Sequence, residues 1–308
     1  MKKFLFATTM AVGELAPPMP KRDRSETLYA QTIRRFKRSH TAIVGLAIVI
    51  LLILVAIFAD VLAPYSPTAN HPSEMFQTPS RQHLLGTDQF GRDMLSRIIH
   101  GSRVSLAIGL ASVVLAFGIG IPLGVVAGFY GGKTDTFVMR AMDVILAFPV
   151  ILLAIVIMIM FTPTAGFWGI MKVTAAIAIV RIPIYARLVR GSVLSIKEKE
   201  YIEACHALGQ RDPKILIFHI LPNCLAPIIV TGTLSIATAI IVEAALSFLG
   251  VGIQPPTPSW GWDLKANVAW IQQNAWLAVA PGCAIFITVL GFNLFGDGLR
   301  DALDPRMK

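Results

Sequence analysis

Nothing constrains this chain more than its long runs without charge. The first, "TAIVGLAIVILLILVAIFADVLA" from Thr41 to Ala63, carries one ionisable side chain, Asp60. A bilayer's hydrocarbon core is about 30 Å thick, a distance that about 20 helical residues cross. Five further runs reach that length: about 102–130, 136–160, 167–188, 225–252 and 276–295. The fourth is the weakest, because Lys172 and Arg181 interrupt it. Backbone N–H and C=O groups in lipid must be satisfied within their own segment, so such runs are helical. The expected fold is an all-α integral membrane protein with six transmembrane helices. With 55% hydrophobic and 15% charged residues, the composition excludes a soluble domain.

Basic residues set the orientation. Seven lie between Lys21 and Arg38 and seven between Arg181 and Lys214, against three between Pro64 and His100 and one, Lys265, between Gly250 and Trp276. Cytoplasmic segments carry the excess of Lys and Arg. The reading is therefore a cytoplasmic tail (1–40), a first helix (41–63) and an extracytoplasmic loop (64–101). A helical core (102–296) and a cytoplasmic C-terminal tail (297–308) follow. Trp168, Trp260, Trp262, Trp270 and Trp276 fall at the expected outer interface, where an amphipathic ring is best placed. The opening "MKKFLFATTMAVG" imitates a signal peptide, but it is short and runs into a Pro-rich, basic segment. It reads as an uncleaved tail.

Between the fourth and fifth runs the chain turns polar: "EACHALGQRDPKILIFHILPN", Glu203 to Asn223. Good helix formers from Ser195 lead to Gly209, placed as a left-handed terminator. Asp212 then reads as an N-cap with Pro213 at the first helical position, and Pro222 with Asn223 as the end of the second helix. The expectation is two short helices across a Gly hinge, a docking element on the cytoplasmic face (195–223). A DNA-binding helix pair is the rival. Membrane runs flank this one closely, and Glu198, Glu200, Glu203 and Asp212 offset its Lys and Arg, so no nucleic-acid partner is expected.

Other motifs fall away. "AGFYGGKT", Ala127 to Thr134, matches a loosened phosphate loop but follows a membrane helix rather than a strand. The histidines form no close ligand pair, and the three cysteines are too scattered for a disulfide framework or zinc site. No enzyme activity, metal or cofactor is expected in this chain. Gly120, Gly124 and Gly128 make a smooth stripe on one helix face, where a neighbouring helix can approach closely. Glu243, deep in the fifth run, should face a partner subunit or a watered cavity, as a structural pair or a contact for a substrate's amino group.

Glu203-Ala204-Cys205, then Gly209, then Leu221-Pro222 resembles the EAA loop of ABC-importer permeases, with Cys205 where a second Ala is usual and His219 where Ile is. "HLLGTDQFGRDMLSRIIHGSRVSL" from His83, "LSFLGVGIQPPTPSWG" from Leu246 and "FNLFGDGLRDALDPRMK" from Phe292 narrow the likeness. They resemble the C-type permease subunit of dipeptide, oligopeptide and nickel importers, over nearly the whole chain. The resemblance implies a type-I permease core in the bacterial inner membrane. It also implies a homologous second permease, two cytoplasmic ATPase subunits that bind ATP and Mg, and an extracytoplasmic binding protein. Glu203, Ala204, Gly209, Asp212, Leu221 and Pro222 would couple to the ATPase, and Glu243 is a candidate for the pathway. Peptides are the implied cargo, with nickel complexes, glutathione or other small solutes as alternatives. A proton-coupled secondary transporter would want internal repeats, which are missing, and a non-transporting scaffold would need no Glu243.

Overall fold

The computed structural model describes residues 28–160 and 165–303. The signal-peptide-like opening and the last five residues lie outside the described residues. Among the described residues twelve α-helices follow in order. α1 (Leu28–Arg38) and α2 (His40–Ile57) meet at Ser39, whose Oγ accepts from the Ala42 N–H at 3.3 Å and caps α2. After α3 (Ala59–Leu62) comes a long loop, then α4 (Met94–Tyr130), α5 (Gly132–Leu146), α6 (Val150–Ile159) and α7 (Gly166–Lys197). The short α8 (Glu200–Ala207) and α9 (Asp212–Ile215) precede α10 (Leu221–Leu249), α11 (Trp260–Val268) and α12 (Trp276–Leu303).

Five of the helices, or helix runs, are long and apolar enough to cross a membrane: α2, α4, α7, the run Asp212–Leu249 and α12. The third expected run is not a straight helix. α5 and α6 meet at 87°, and they complete a sixth span only as a bent pair. Pro149 explains the break: it has no N–H to continue the ladder of α5 and instead stands at the N-cap of α6. With ten residues, α6 covers about 15 Å, half a bilayer core.

Three helices extend beyond their apolar runs, among them α12, which continues past residue 295 to Leu303 and so makes the start of the expected C-terminal tail helical. α4 begins at Met94 rather than near Ser102, because Asp93 caps it: the carboxylate accepts from the Ser96 N–H and Oγ at 2.8 and 2.7 Å. α7 continues nine residues past Leu188 to Lys197. Hydropathy marks where lipid-like surface ends, whereas a helix stops only where its backbone is capped or broken.

α4 and α7 form the most extensive helix pair. A Cβ at Gly124 would stand 2.4 Å from the Ala186 carbonyl oxygen, and one at Gly120 2.9 Å from that of Ile182. The glycine stripe thus lets the α7 backbone lie against α4, and α10 closes the core over Val104, Ile108, Ile177 and Leu246.

At one end of the bundle the loop 64–93 is locked to α4 and α11 by buried polar groups. Arg97 donates from Nε to Asp263 at 2.8 Å and from Nη1 to the Pro67 carbonyl at 2.9 Å. His83 Nδ1 pairs with Asp93 at 2.9 Å, and Arg92 with Asp88 at 2.6 Å. Beside them, Arg103 Nη1 donates to the Asp60 carboxylate at 2.9 Å and His100 Nε2 meets the same oxygen at 3.2 Å. Trp260 is not an interfacial ring. It is buried, and its Nε1 donates to the Ile98 carbonyl at 2.9 Å.

Candidate functional site

At the opposite end of the bundle the polar stretch of the sequence makes an elbow. α7 stops at Lys197, so α8 starts at Glu200 rather than as part of one helix from Ser195. Gly209 ends α8 at φ +72°. The Gly209 N–H donates to the His206 carbonyl at 2.9 Å and the Gln210 N–H to that of Cys205 at 3.1 Å. Those two bonds are a Schellman terminator, in which the left-handed residue is glycine because a Cβ there strains the backbone.

Beyond the hinge the structure departs from the sequence reading twice. Asp212 is not a side-chain cap: Arg211 occupies the N-cap position, without a side-chain cap bond, and Asp212 is the first helical residue ahead of Pro213. Nor do Pro222 and Asn223 end a helix. α9 passes through a single π turn, Leu216–Ile220, straight into α10. Pro222 falls in the first turn of α10, and the π turn accommodates the missing N–H donor there without a break. The second arm of the elbow is therefore continuous with a membrane-spanning helix.

The elbow has a dry side and an open side. Ile202, Ile215, Ile220 and Cys224 are buried with Val189, Val193 and Ile196 of α7. His219 Nε2 meets Gln210 Oε1 of the hinge at 3.2 Å, and the Asn223 amide, which also donates to the His219 carbonyl at 2.7 Å, reaches Tyr201 Oη of α8 at 3.5 Å across the two arms. His206 stacks on Phe129 at the end of α4, and Lys197 donates to the Phe129 carbonyl at 3.3 Å. On the open side Glu203, Ala204, Gly209 and Pro222 are exposed, with Asp212 and Leu221 partly covered. Leu208 (81% exposed), Ile217 and Phe218 (66%) join them. These three are the residues sequence reasoning missed. Ile217 and Phe218 sit in a short apolar stretch, and Leu208 is a lone large apolar residue directly before the hinge glycine; only the fold shows that their side is uncovered.

Glu243 stands apart from this face and from the surroundings expected for it. It is fully buried within the chain, near the other end of α10. Ser247 and Ser259 donate to its Oε1 at 2.9 Å each, and Ser105 donates to its Oε2 at 3.1 Å. The carboxylate ties α4, α10 and the segment before α11 together, rather than facing a partner or open water. Only Ser247, one helical turn on, was near enough in sequence to suggest this setting. Among the described residues no group of three or more His, Cys, Asp or Glu could hold a metal ion.

Residues 120–308 match the family described as binding-protein-dependent transport system inner membrane component, and residues 27–79 match the N-terminal TM domain of oligopeptide transport permease C. The dipeptide transport system permease protein of Alkalihalophilus pseudofirmus is 45% identical over 293 residues, 95% of each chain. The glutathione transport system permease protein of Escherichia coli O157:H7 is 46% identical over 294 residues, again 95% of each. The di/tripeptide permease of Pseudomonas aeruginosa is 43% identical over 89% of this chain and 90% of its own. Among solved structures, the inward-facing MetNI methionine ABC transporter matches with a TM-score of 0.56 at 21% identity, over 68% of this chain and 98% of that one. That likeness shows the fold alone.

Proposed function

We propose, from the premise that this chain belongs to the family of binding-protein-dependent transport system inner membrane components, that it is a permease subunit of an ATP-driven importer of short peptides. Relatives named for dipeptides, di/tripeptides and glutathione, itself a tripeptide, support that cargo class over a metal complex. The chain forms half of a transmembrane pathway, and a homologous second permease forms the rest. An extracytoplasmic binding protein delivers cargo, and two cytoplasmic ATPase subunits bind and hydrolyse ATP. The Lys/Arg bias supports placing the elbow and both termini in the cytoplasm. The permease core is residues 102–296, with α1 to α3 and the loop 64–101 as additions to it.

The observation that carries the reading is the elbow. Its glycine-terminated turn leaves an acid, Glu203, and three large apolar side chains, Leu208, Ile217 and Phe218, uncovered within the same element. Large exposed apolar side chains rimmed by polar groups mark an interaction surface. Because the second arm runs unbroken into α10, a shift of a gripped elbow moves a membrane helix as a rigid body. Closure of the ATPases on ATP would draw two such elbows together and open the pathway outward.

The test is made on the purified complex in proteoliposomes. Gly209→Val places a β-branched residue at positive φ, at a cost of about 1–3 kcal/mol of local strain. A Cβ there meets nothing, so strain rather than collision is the perturbation. Glu203→Ala removes a charge-assisted contact to the ATPase. Both should leave membrane abundance and the partner permease intact while peptide uptake and binding-protein-stimulated ATP hydrolysis fall together. Normal transport by both variants would refute the coupling role.

A further inference from the structure

Midway along α7, fifteen residues after Gly166 and sixteen before Lys197, stands Arg181. It is 7% exposed, and no carboxylate pairs with it among the described residues. Its Nη2 donates to Thr238 Oγ1 of α10 at 2.6 Å, while its Nε is buried with no partner. Thr174 Oγ1 is likewise buried without a partner, and the buried Tyr185 hydroxyl lies beside the guanidinium and Ser235. Seven and eleven residues at about 100° each bring Thr174, Arg181 and Tyr185 within about 20° of one line down the helix. Three buried polar side chains thus share one stripe of a membrane-spanning helix. Charge is expensive there, and an intramembrane cation is retained where it meets a counter-charge or a watered path.

Thr238 shows where that path lies. It is exposed on α10, with Ile241 exposed nearby, so the guanidinium lies just beneath a mid-membrane surface of the chain. Its present partner is a neutral hydroxyl, which a carboxylate readily displaces: a guanidinium binds carboxylate through two parallel N–H···O bonds.

We infer that Arg181, reached past Thr238, binds the free carboxylate of the cargo during its passage, so that the α7–α10 face is a wall of the pathway. The inference rests on the peptide-importer reading. A dipeptide always carries a terminal carboxylate whatever its side chains, so one fixed cation serves every sequence. Thr174 and Tyr185, along the same stripe, offer hydroxyls on either side of it.

The experiment compares import of L-alanyl-L-alanine and its C-terminal amide by the reconstituted complex. Both are supplied at concentrations that saturate the binding protein, checked by direct binding. Wild type should import the free acid about tenfold faster or more, the discrimination expected when a charge-assisted hydrogen bond is lost. Arg181→Gln should bring the two rates within about twofold, and Arg181→Lys should restore part of the preference. Thr238→Asp supplies a fixed carboxylate at an exposed position, and it should abolish the preference as Arg181→Gln does. An unchanged acid-to-amide ratio in Arg181→Gln overturns the inference. So does loss of the partner permease from Arg181→Gln with an unchanged ratio in Thr238→Asp, which would assign Arg181 to an ion pair between subunits. If the wild-type complex hydrolyses ATP but imports neither compound, the peptide-importer reading itself fails.

Discussion

Glu243 carries its carboxyl group into the core, where hydroxyls receive it: Ser105 from α4, Ser247 from its own helix and Ser259 from the segment before α11. Ser247 Oγ also accepts from the Ile253 N–H at 3.1 Å, so the cluster fixes the turn that leaves α10. The role this geometry gives Glu243 is to hold segments together, not to meet cargo. Hydroxyls can turn to accept as well as donate, so Glu243→Gln keeps most of the network and should cost under about 1 kcal/mol. Glu243→Ala strips three donors of their acceptor and leaves a void, a loss of about 2–5 kcal/mol. Thermal unfolding of the purified complex should separate the two variants clearly. Uptake of acidic, neutral and basic dipeptides by Glu243→Gln should keep wild-type proportions; a changed charge preference would return Glu243 to the pathway. The sequence made Glu243 conspicuous as a lone acid in an apolar run. It could not show Ser105, which approaches from a helix 138 residues away.

At the scale of elements, the α4–α7 pair depends on absent side chains. Gly124 is the tightest point: a Cβ there stands 2.4 Å from the Ala186 carbonyl oxygen and 2.9 Å from the Val189 Cβ. Neither the backbone oxygen nor a branched Cβ can swing aside, so Gly124→Val must push the helices apart. The overpacking cost is about 1–3 kcal/mol, and the elbow's support on α7 shifts with it. Reduced membrane abundance and a lower unfolding temperature are the expected outcome, whereas Gly118→Val, where a Cβ meets nothing within 4 Å, should behave as wild type. That stripe was legible in the sequence because four-residue spacing has only one meaning on a helix. The positive φ at Gly209 was legible for the same kind of reason: a glycine after a run of helix formers. Other boundaries were not. Pro149 breaks a run that hydropathy alone reads as continuous, while Pro222, read as a stop, is absorbed by a π turn. A proline's effect depends on whether neighbouring backbone can re-satisfy the donor it removes, and local sequence does not encode that.

For the whole molecule, the alternation of spans puts the elbow and the Trp260 segment at opposite ends of the bundle, and the basic-residue bias supports the elbow end as cytoplasmic. The structure decides where this can be probed. Ser259, a natural choice in the 253–275 segment, is buried against Glu243, so a cysteine there would be unreactive on either side of the membrane. Gln272 is exposed just before α12, and Ala207 is exposed at the end of α8. Cys205 lies in the elbow and Cys283 is exposed, so both are first replaced by alanine together with Cys224. Gln272→Cys and Ala207→Cys are then treated with an impermeant maleimide in intact cells whose outer barrier has been opened. Labelling at 272 in intact cells, and at 207 only after the inner membrane is breached, is the expected pattern. The reverse would turn the molecule over and put the elbow out of reach of any ATPase. Whether α5 and α6 cross as a bent pair or re-enter leaves the expected pattern unchanged, because α10 is the one span between Ala207 and Gln272. Labelling of both positions in intact cells would therefore mean that α10 does not cross, and the elbow could not pass its motion into the membrane.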